Sequence, residues 1–161
     1  MNNTYPYGLS AVPASELVRI HASSGTTGKP KVAAYTRRDI DIWSECVARC
    51  LSMVGLTRDD VLQVGYGYGL FTGGLGAHYG AEKLGAMVIP MSTGNTDKLV
   101  NMMIDLKATA IACTPSYLLH VAETLRDRNL LDQIELKYAI CGAEPWTDNM
   151  RNQMEEMLNI K

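Results

Sequence analysis

The 161-residue chain has no apolar run near the roughly 18 residues that a membrane-spanning helix needs, so no membrane partner is expected. Charge of one sign is also missing. Fifteen Lys and Arg stand against 17 Asp and Glu, a formal net charge of -2, which gives no electrostatic case for nucleic acid or an anionic membrane surface. Cysteine is sparse, and Cys46, Cys50, Cys113 and Cys141 form none of the paired-cysteine spacings of metal sites. Cys46 and Cys50 stand four apart on a predicted helix and are expected to be core residues rather than ligands or a disulfide. A reducing cytoplasm fits this usage. The polar start Met1-Asn2-Asn3-Thr4 does not read as a secretory signal. No repeat, low-complexity run or convincing domain linker is present. What remains is ordinary globular material, 47% hydrophobic and 20% charged, enough for one domain with a real core.

Alternation organises that material. Thr36 can cap a helix carrying Ile40, Trp43, Val47, Cys50, Leu51 and Val54 at helical spacing, and Gly55 can end it. Val61–Val64 reads as a strand, about Gly74 to Leu84 as a helix, and Ala86–Ile89 as a strand. Thr96 can cap a helix with Leu99, Val100, Met103, Ile104 and Leu106. Ala110–Cys113 follows as a strand. Thr114 and Pro115 make a cap and first position for a helix through Leu118, Val121, Ala122 and Leu125. Lys137–Cys141 is the last strand, and Thr147 can cap a helix with Met150, Met154, Met157 and Leu158 inward. Repeated strand–helix units imply an α/β fold: a mostly parallel sheet flanked by helices, with short strands buried on both faces. Residues 1–19 read as an irregular arm and residues 20–161 as a nucleotide-binding α/β subdomain.

The unusual segments follow the strands. Gly65–Gly69, Met91–Asn95, Thr114–Ser116 and Gly142–Pro145 each come after one. In an open parallel sheet this gathers them on the edge where ligands bind. A further loop, Ser23-Ser24-Gly25-Thr26-Thr27-Gly28-Lys29, packs hydroxyls, glycines and a lysine together. Such a loop can turn N–H groups inward around phosphates. It is not a Walker A loop, because two residues separate Gly25 from Gly28 and Pro30 follows Lys29. A hairpin-like loop between Ile20–Ala22 and Val32–Tyr35 is the expected setting, and a mobile surface turn is the bland alternative.

This loop resembles the phosphate-binding signature of adenylate-forming enzymes, the acyl-CoA synthetases and luciferases. Tyr5-Pro6-Tyr7-Gly8, the run from Gly65 to Gly80, Cys113-Thr114-Pro115-Ser116-Tyr117 and Gly142-Ala143-Glu144-Pro145-Trp146 narrow the likeness to the phenylacetate-CoA ligase family. The resemblance covers nearly the whole chain. It implies a subdomain of the adenylate-forming large domain, acting in phenylacetate catabolism. The implied reactants are ATP, Mg2+, coenzyme A and an aryl carboxylic acid. By resemblance, Ser23, Ser24, Gly25, Thr26, Thr27, Gly28 and Lys29 grip the β- and γ-phosphates of the nucleotide and later release pyrophosphate. Gly142, Ala143, Glu144 and Pro145 flank its adenine and ribose, and Tyr66, Phe71 and Gly73 shape the acyl pocket, with Tyr68 a neighbour.

Each assignment has a plainer alternative. Gly142–Pro145 can be only a strand-to-helix connection, and the aromatic residues can be core. Glu144 can be a solvated carboxylate. His78 is either a polar contact near the thiol path or, the reading favoured, a satisfied structural histidine; His21 and His120 show no catalytic partner in the sequence. The resemblance also implies an interior slice of the family's large domain. The family's metal-binding glutamate, ribose-binding aspartate and second domain with its catalytic lysine have no match here, so no residue is assigned as catalytic. The chain alone is expected to be inactive. Two other readings are a non-catalytic nucleotide- or acid-binding module and a dimerisation piece, the latter making a homodimer.

Overall fold

The computed structural model describes residues 4–25 and 28–160. Two strands, β1 (Leu17–Ala22) and β2 (Val32–Thr36), form an antiparallel hairpin around the glycine-rich loop. β1 begins three residues before the expected Ile20, so the boundary placed between residues 19 and 20 falls inside a strand. A short 3-10 turn, Ala14–Glu16, leads into it.

The rest alternates as expected. The elements are α1 (Arg37–Met53), β3 (Val61–Val64), α2 (Gly73–Leu84), β4 (Met87–Ile89), α3 (Thr96–Asp105), β5 (Ala110–Cys113), α4 (Pro115–Asp127), β6 (Tyr138–Cys141) and α5 (Asp148–Leu158). Strands β3 to β6 make one parallel sheet in the order β4-β3-β5-β6. α1 and α2 cover one face over Leu62, Val64, Ala110 and Ala112, while α3, α4 and α5 cover the other over Ile111 and Cys113. The chain steps from β3 outward to β4, then back across to β5. The strand order therefore reverses between β3 and β5, the position where open α/β sheets leave a crevice.

Local chemistry sets these boundaries. Thr36 and Asp39 form a reciprocal capping box: the Asp39 N–H donates to Thr36 Oγ1 at 3.2 Å, and the Thr36 N–H to Asp39 Oδ2 at 2.8 Å. Thr114 and Thr147 cap α4 and α5 through their side chains. The cap of α3 is Asn95 rather than Thr96; its Oδ1 accepts the Lys98 N–H at 2.9 Å. Thr96 becomes the first helical residue, because an Asn side chain serves the same orphan donor equally well.

Cys46 and Cys50 are exposed, against the expectation that they are core. The buried stripe of α1 is Ile40, Ser44, Ala48 and Leu51, and Trp43 and Val47 pack on α2. The register is set by α2, whose glycines let α1 come close. A Cβ on Gly76 would lie 2.9 Å from the Trp43 ring, and one on Gly80 would lie 2.3 Å from Val47 Cγ1. Trp43 and Val47 therefore take the contact face, and the cysteines turn outward.

Candidate functional site at the carboxyl edge of the sheet

The parallel arrangement brings the loops after β3, β5 and β6 to one edge. Beside it lies a cleft of about 940 Å3 lined by Ser23, Ser24, Tyr66, Phe71, Gly73 and Ala143, among others. Residues from three separate sequence segments, each singled out from the sequence, thus share one cavity.

The hairpin supplies the first wall. The Ser23 N–H donates to the Lys31 carbonyl at 3.1 Å, and the Lys31 N–H to Ser23 Oγ at 2.9 Å, which closes the neck of the loop. The Ser23 hydroxyl proton stays available to a ligand, because Oγ here acts as acceptor. Gly25 has φ +68, and a Cβ there would lie 2.8 Å from Pro30 Cγ, so the turn needs glycine. Gly28 donates its N–H to the Gly25 carbonyl at 3.0 Å. Lys29 stands apart from the cleft lining, with Nζ 5.4 Å from the centre of the Tyr5 ring. Thr26 and Thr27 lie outside the described residues.

Tyr66 is the centre of the second wall. Its ring lies against the start of α2, where a Cβ on Gly73 would meet Tyr66 Cγ at 3.4 Å. Its hydroxyl reaches the β6 side, 3.5 Å from where a Gly142 Cβ would stand. Burial pushes the phenol up to about 12, with the nearby Cys113, Cys141 and Glu144 adding to that and the Gly142 backbone N–H pulling the other way. Tyr66 is therefore a neutral wall with a hydroxyl at its tip. Phe71 stands 67% exposed at the rim, where an apolar ligand could cover it. The first turn of α2 opens onto the same cleft through Thr72, Gly73 and Gly74, and the Thr72 side chain makes no capping bond. Those free N–H groups favour negative charge.

The β6 loop divides. Ala143, with φ +74, lines the cleft, whereas Gly142, Glu144 and Pro145 do not. The Glu144 carboxylate accepts the Ser116 N–H, in the first turn of α4. The Ser116 hydroxyl and backbone N–H, with help from Thr114, hold Glu144 below the usual carboxylate range. This half-buried carboxylate joins the β6 loop to the β5 loop.

His78 has both ring nitrogens occupied: Nδ1 pairs with the Tyr68 hydroxyl at 3.1 Å and Nε2 with Glu82 Oε1 at 3.1 Å. Burial and the Glu82 charge push the Tyr68 phenol up to about 12. His120 lies exposed beside Tyr117 on α4.

His21 has a part that the sequence gave no sign of. It is buried between Tyr35 and Trp43, and its Nδ1 lies 3.0 Å from the Leu70 carbonyl. The Ala22 N–H donates to that same carbonyl at 2.9 Å. The strand that enters the glycine-rich loop is thereby fastened to the loop that carries Tyr66 and Phe71. Leu70 is 49 positions away, so no local pattern could reveal the contact.

Among the described residues no group of three or more His, Cys, Asp and Glu side chains stands together to hold a metal ion. The Mg2+ implied by the resemblance thus meets no cluster of that size among the described residues. No helix of the described residues is long and apolar enough to cross a membrane.

The chain is 51% identical over 162 residues to the phenylacetate-coenzyme A ligase of Pseudomonas putida, and 51% identical over 163 residues to that of Escherichia coli K12; each alignment covers 99% of this chain. The chain spans 37% of the length of each of these relatives. An open conformation of a 2-hydroxyisobutyryl-CoA ligase in complex with 2-HIB-AMP and CoA superposes with a TM-score of 0.92 at 28% identity, covering 99% of this chain and 38% of that one. The family model described as AMP-binding enzyme matches residues 6–160. That match takes in the glycine-rich loop, every strand of the parallel sheet and the cleft between them, and the chain belongs to the AMP-binding enzyme family.

Proposed function

We propose that this chain forms the acid- and nucleotide-binding face of an AMP-forming acid–CoA ligase acting on a phenylacetate-like aryl acid. The observation that carries this reading is the single cleft shared by Ser23, Ser24, Tyr66, Phe71, Gly73 and Ala143. In the proposed reaction the acid's carboxylate attacks the α-phosphorus of ATP, giving an acyl-adenylate and pyrophosphate. The thiol of coenzyme A then displaces AMP to give the thioester. Both halves depend on alignment and charge neutralisation.

The residues divide the work by their chemistry. The Ser23 hydroxyl and the backbone around Gly25 and Gly28 offer donors to phosphate oxygens. Lys29 supplies charge once it leaves the Tyr5 ring. Tyr66 and Phe71 give an aryl group an apolar bed, and Gly73 leaves room for its ring. Ala143 brings a Cβ and backbone against the nucleotide side of the cleft. Mg2+, when bound, would neutralise charge on the phosphate oxygens. The four free thiols suit a reducing compartment such as the cytoplasm.

Calorimetric titration of the chain with phenylacetyl-adenylate tests the reading. Saturable binding is expected. Gly73→Val, which places bulk against Tyr66, should weaken it by about ten-fold or more while leaving ATP binding unchanged. Lys29→Ala should weaken ATP binding by roughly 1.5–3 kcal/mol for a charge-assisted phosphate contact, and the adenylate, which has lost the β- and γ-phosphates, much less. Absence of saturable binding by either ligand, or a Gly73→Val chain with unaltered adenylate affinity, would overturn the proposal.

A further inference from the structure

Cys113 and Cys141 end the neighbouring strands β5 and β6 and stand opposite each other in the parallel register. Adjacent strands lie about 4.8 Å apart, and register partners send their side chains to the same face. This separation falls within the Cα spacing of roughly 4.4–6.8 Å that a disulfide bridges. The two side chains pack in one apolar cluster. The neighbouring Cys113 thiol holds Cys141 below the ordinary thiol value against its own burial, while the Cys141 sulfur and deeper burial push Cys113 up. Access is as unequal as acidity. Cys113 is fully buried, whereas Cys141 is half-buried and lines a cavity of about 400 Å3 with Trp146, Met154 and Ile160.

We propose that Cys113 and Cys141 form a reactive dithiol, a modification site for small-molecule disulfides and trivalent arsenicals, with Cys141 attacking and Cys113 resolving. The Cys141 thiolate attacks one sulfur of the reagent disulfide, whose S–S bond breaks and releases one thiolate. Cys113 then gives up its proton and attacks the Cys141 sulfur, expelling the second reagent thiolate. Two thiols are oxidised to one disulfide, the reagent disulfide is reduced to two thiols, and both cysteine protons pass to those products. An organoarsenic(III) oxide instead exchanges its bonds to oxygen for As–S bonds to both sulfurs, and the oxygen leaves with the two thiol protons as water, an exchange that one thiol alone cannot complete. The linked strand ends carry Thr114 and Gly142, so the modification sits directly under the Glu144–Ser116 bond and beside Tyr66. The inference does not depend on the ligase reading, because its readout is chemical.

The test uses the chain with Cys46→Ser and Cys50→Ser, which removes the two exposed thiols of α1. An aromatic disulfide with a coloured leaving thiolate is added under native conditions. The expected result is two leaving groups released per chain, no retained adduct, a mass lower by two hydrogens, and a cross-linked peptide joining residues 113 and 141. Adding Cys113→Ser should give one leaving group and a stable adduct on Cys141. Adding Cys141→Ser should slow reaction at Cys113 by about ten-fold or more, since only the buried thiol remains. The same peptide map on the unsubstituted chain guards against misfolding of a variant. Two retained adducts without a cross-link, reaction only after denaturation, or an unchanged rate in the Cys141→Ser chain would each overturn the proposal.

Discussion

At the scale of single residues, Asp60 is the buried carboxylate whose surroundings are most fully defined. Oδ2 accepts the Thr57 N–H at 2.8 Å and the Thr57 hydroxyl at 3.0 Å, and Oδ1 accepts the Thr109 hydroxyl at 2.8 Å. The Thr109 Oγ1 in turn accepts the Val61 N–H at 2.9 Å, so the carboxylate organises the start of β3. Burial alone would push its pKa up, but the Thr57 backbone, Thr109 and Thr57 hydroxyls, and Lys137, together outweigh burial and lower it. A folded-state value below the unfolded one gives stability that is fully present above about pH 4 and is lost as pH falls through the lower folded value. Asp60→Asn would turn an amide donor toward a hydroxyl donor and should cost about 1–3 kcal/mol at neutral pH. Denaturant titrations of the two chains should therefore show a gap at pH 7 that narrows below about pH 4. A gap constant down to pH 3 would remove Asp60 from that account. Glu144 is a contrast, because it is only half-buried and its bond to Ser116 was invisible in a sequence that separates the two by 28 positions.

At the scale of elements, the close approach of α1 and α2 is the feature most open to disruption. Ala at Gly80 gains helix propensity of about 1 kcal/mol, but its Cβ would fall 2.3 Å from Val47 Cγ1 and 3.2 Å from the Val47 carbonyl carbon. Backbone on one side leaves little room to yield, and overpacking of this kind costs roughly 1–3 kcal/mol or more. Gly80→Ala should lower the thermal midpoint, and Gly80→Ala with Val47→Ala should recover part of the loss. An equal loss in single and double variants would show that the helices are not in contact as described. Thr36→Ala removes the side-chain half of the capping box, leaving the Thr36 N–H on Asp39 Oδ2, and should cost about 1 kcal/mol. These elements also show what a sequence makes legible. Thr36, Pro115 and Thr147 act within a few residues of themselves, so their helices could be placed from local chemistry. The outward turn of Cys46 and Cys50 could not, because the contact face of α1 is chosen by glycines more than 25 positions away on another helix. The parallel sheet was legible for a different reason. Four short apolar strands with helices between them leave few ways to bury every face.

At the scale of the whole molecule, the chain carries a cleft but no metal-ligand cluster among its described residues. With ATP, Mg2+ and phenylacetate, the isolated chain should release no pyrophosphate above background, because holding the α-phosphorus in line with the acid takes a fixed metal, and no group of three or more His, Cys, Asp and Glu side chains stands together among the described residues. Acid-dependent release would show the site to be more self-contained than the proposal holds. The Leu70 carbonyl has a further consequence at this scale. His21 and Ala22, on the strand leading to the glycine-rich loop, both donate to a residue beside Phe71. A ligand that orders one loop thus lowers the entropy left for the other ligand to remove. Acid and nucleotide should bind with positive cooperativity, each raising the other's affinity by one and the same factor. In the His21→Phe chain, which keeps an aromatic ring but drops one of the two bonds, that factor should fall toward unity while each ligand alone binds as before.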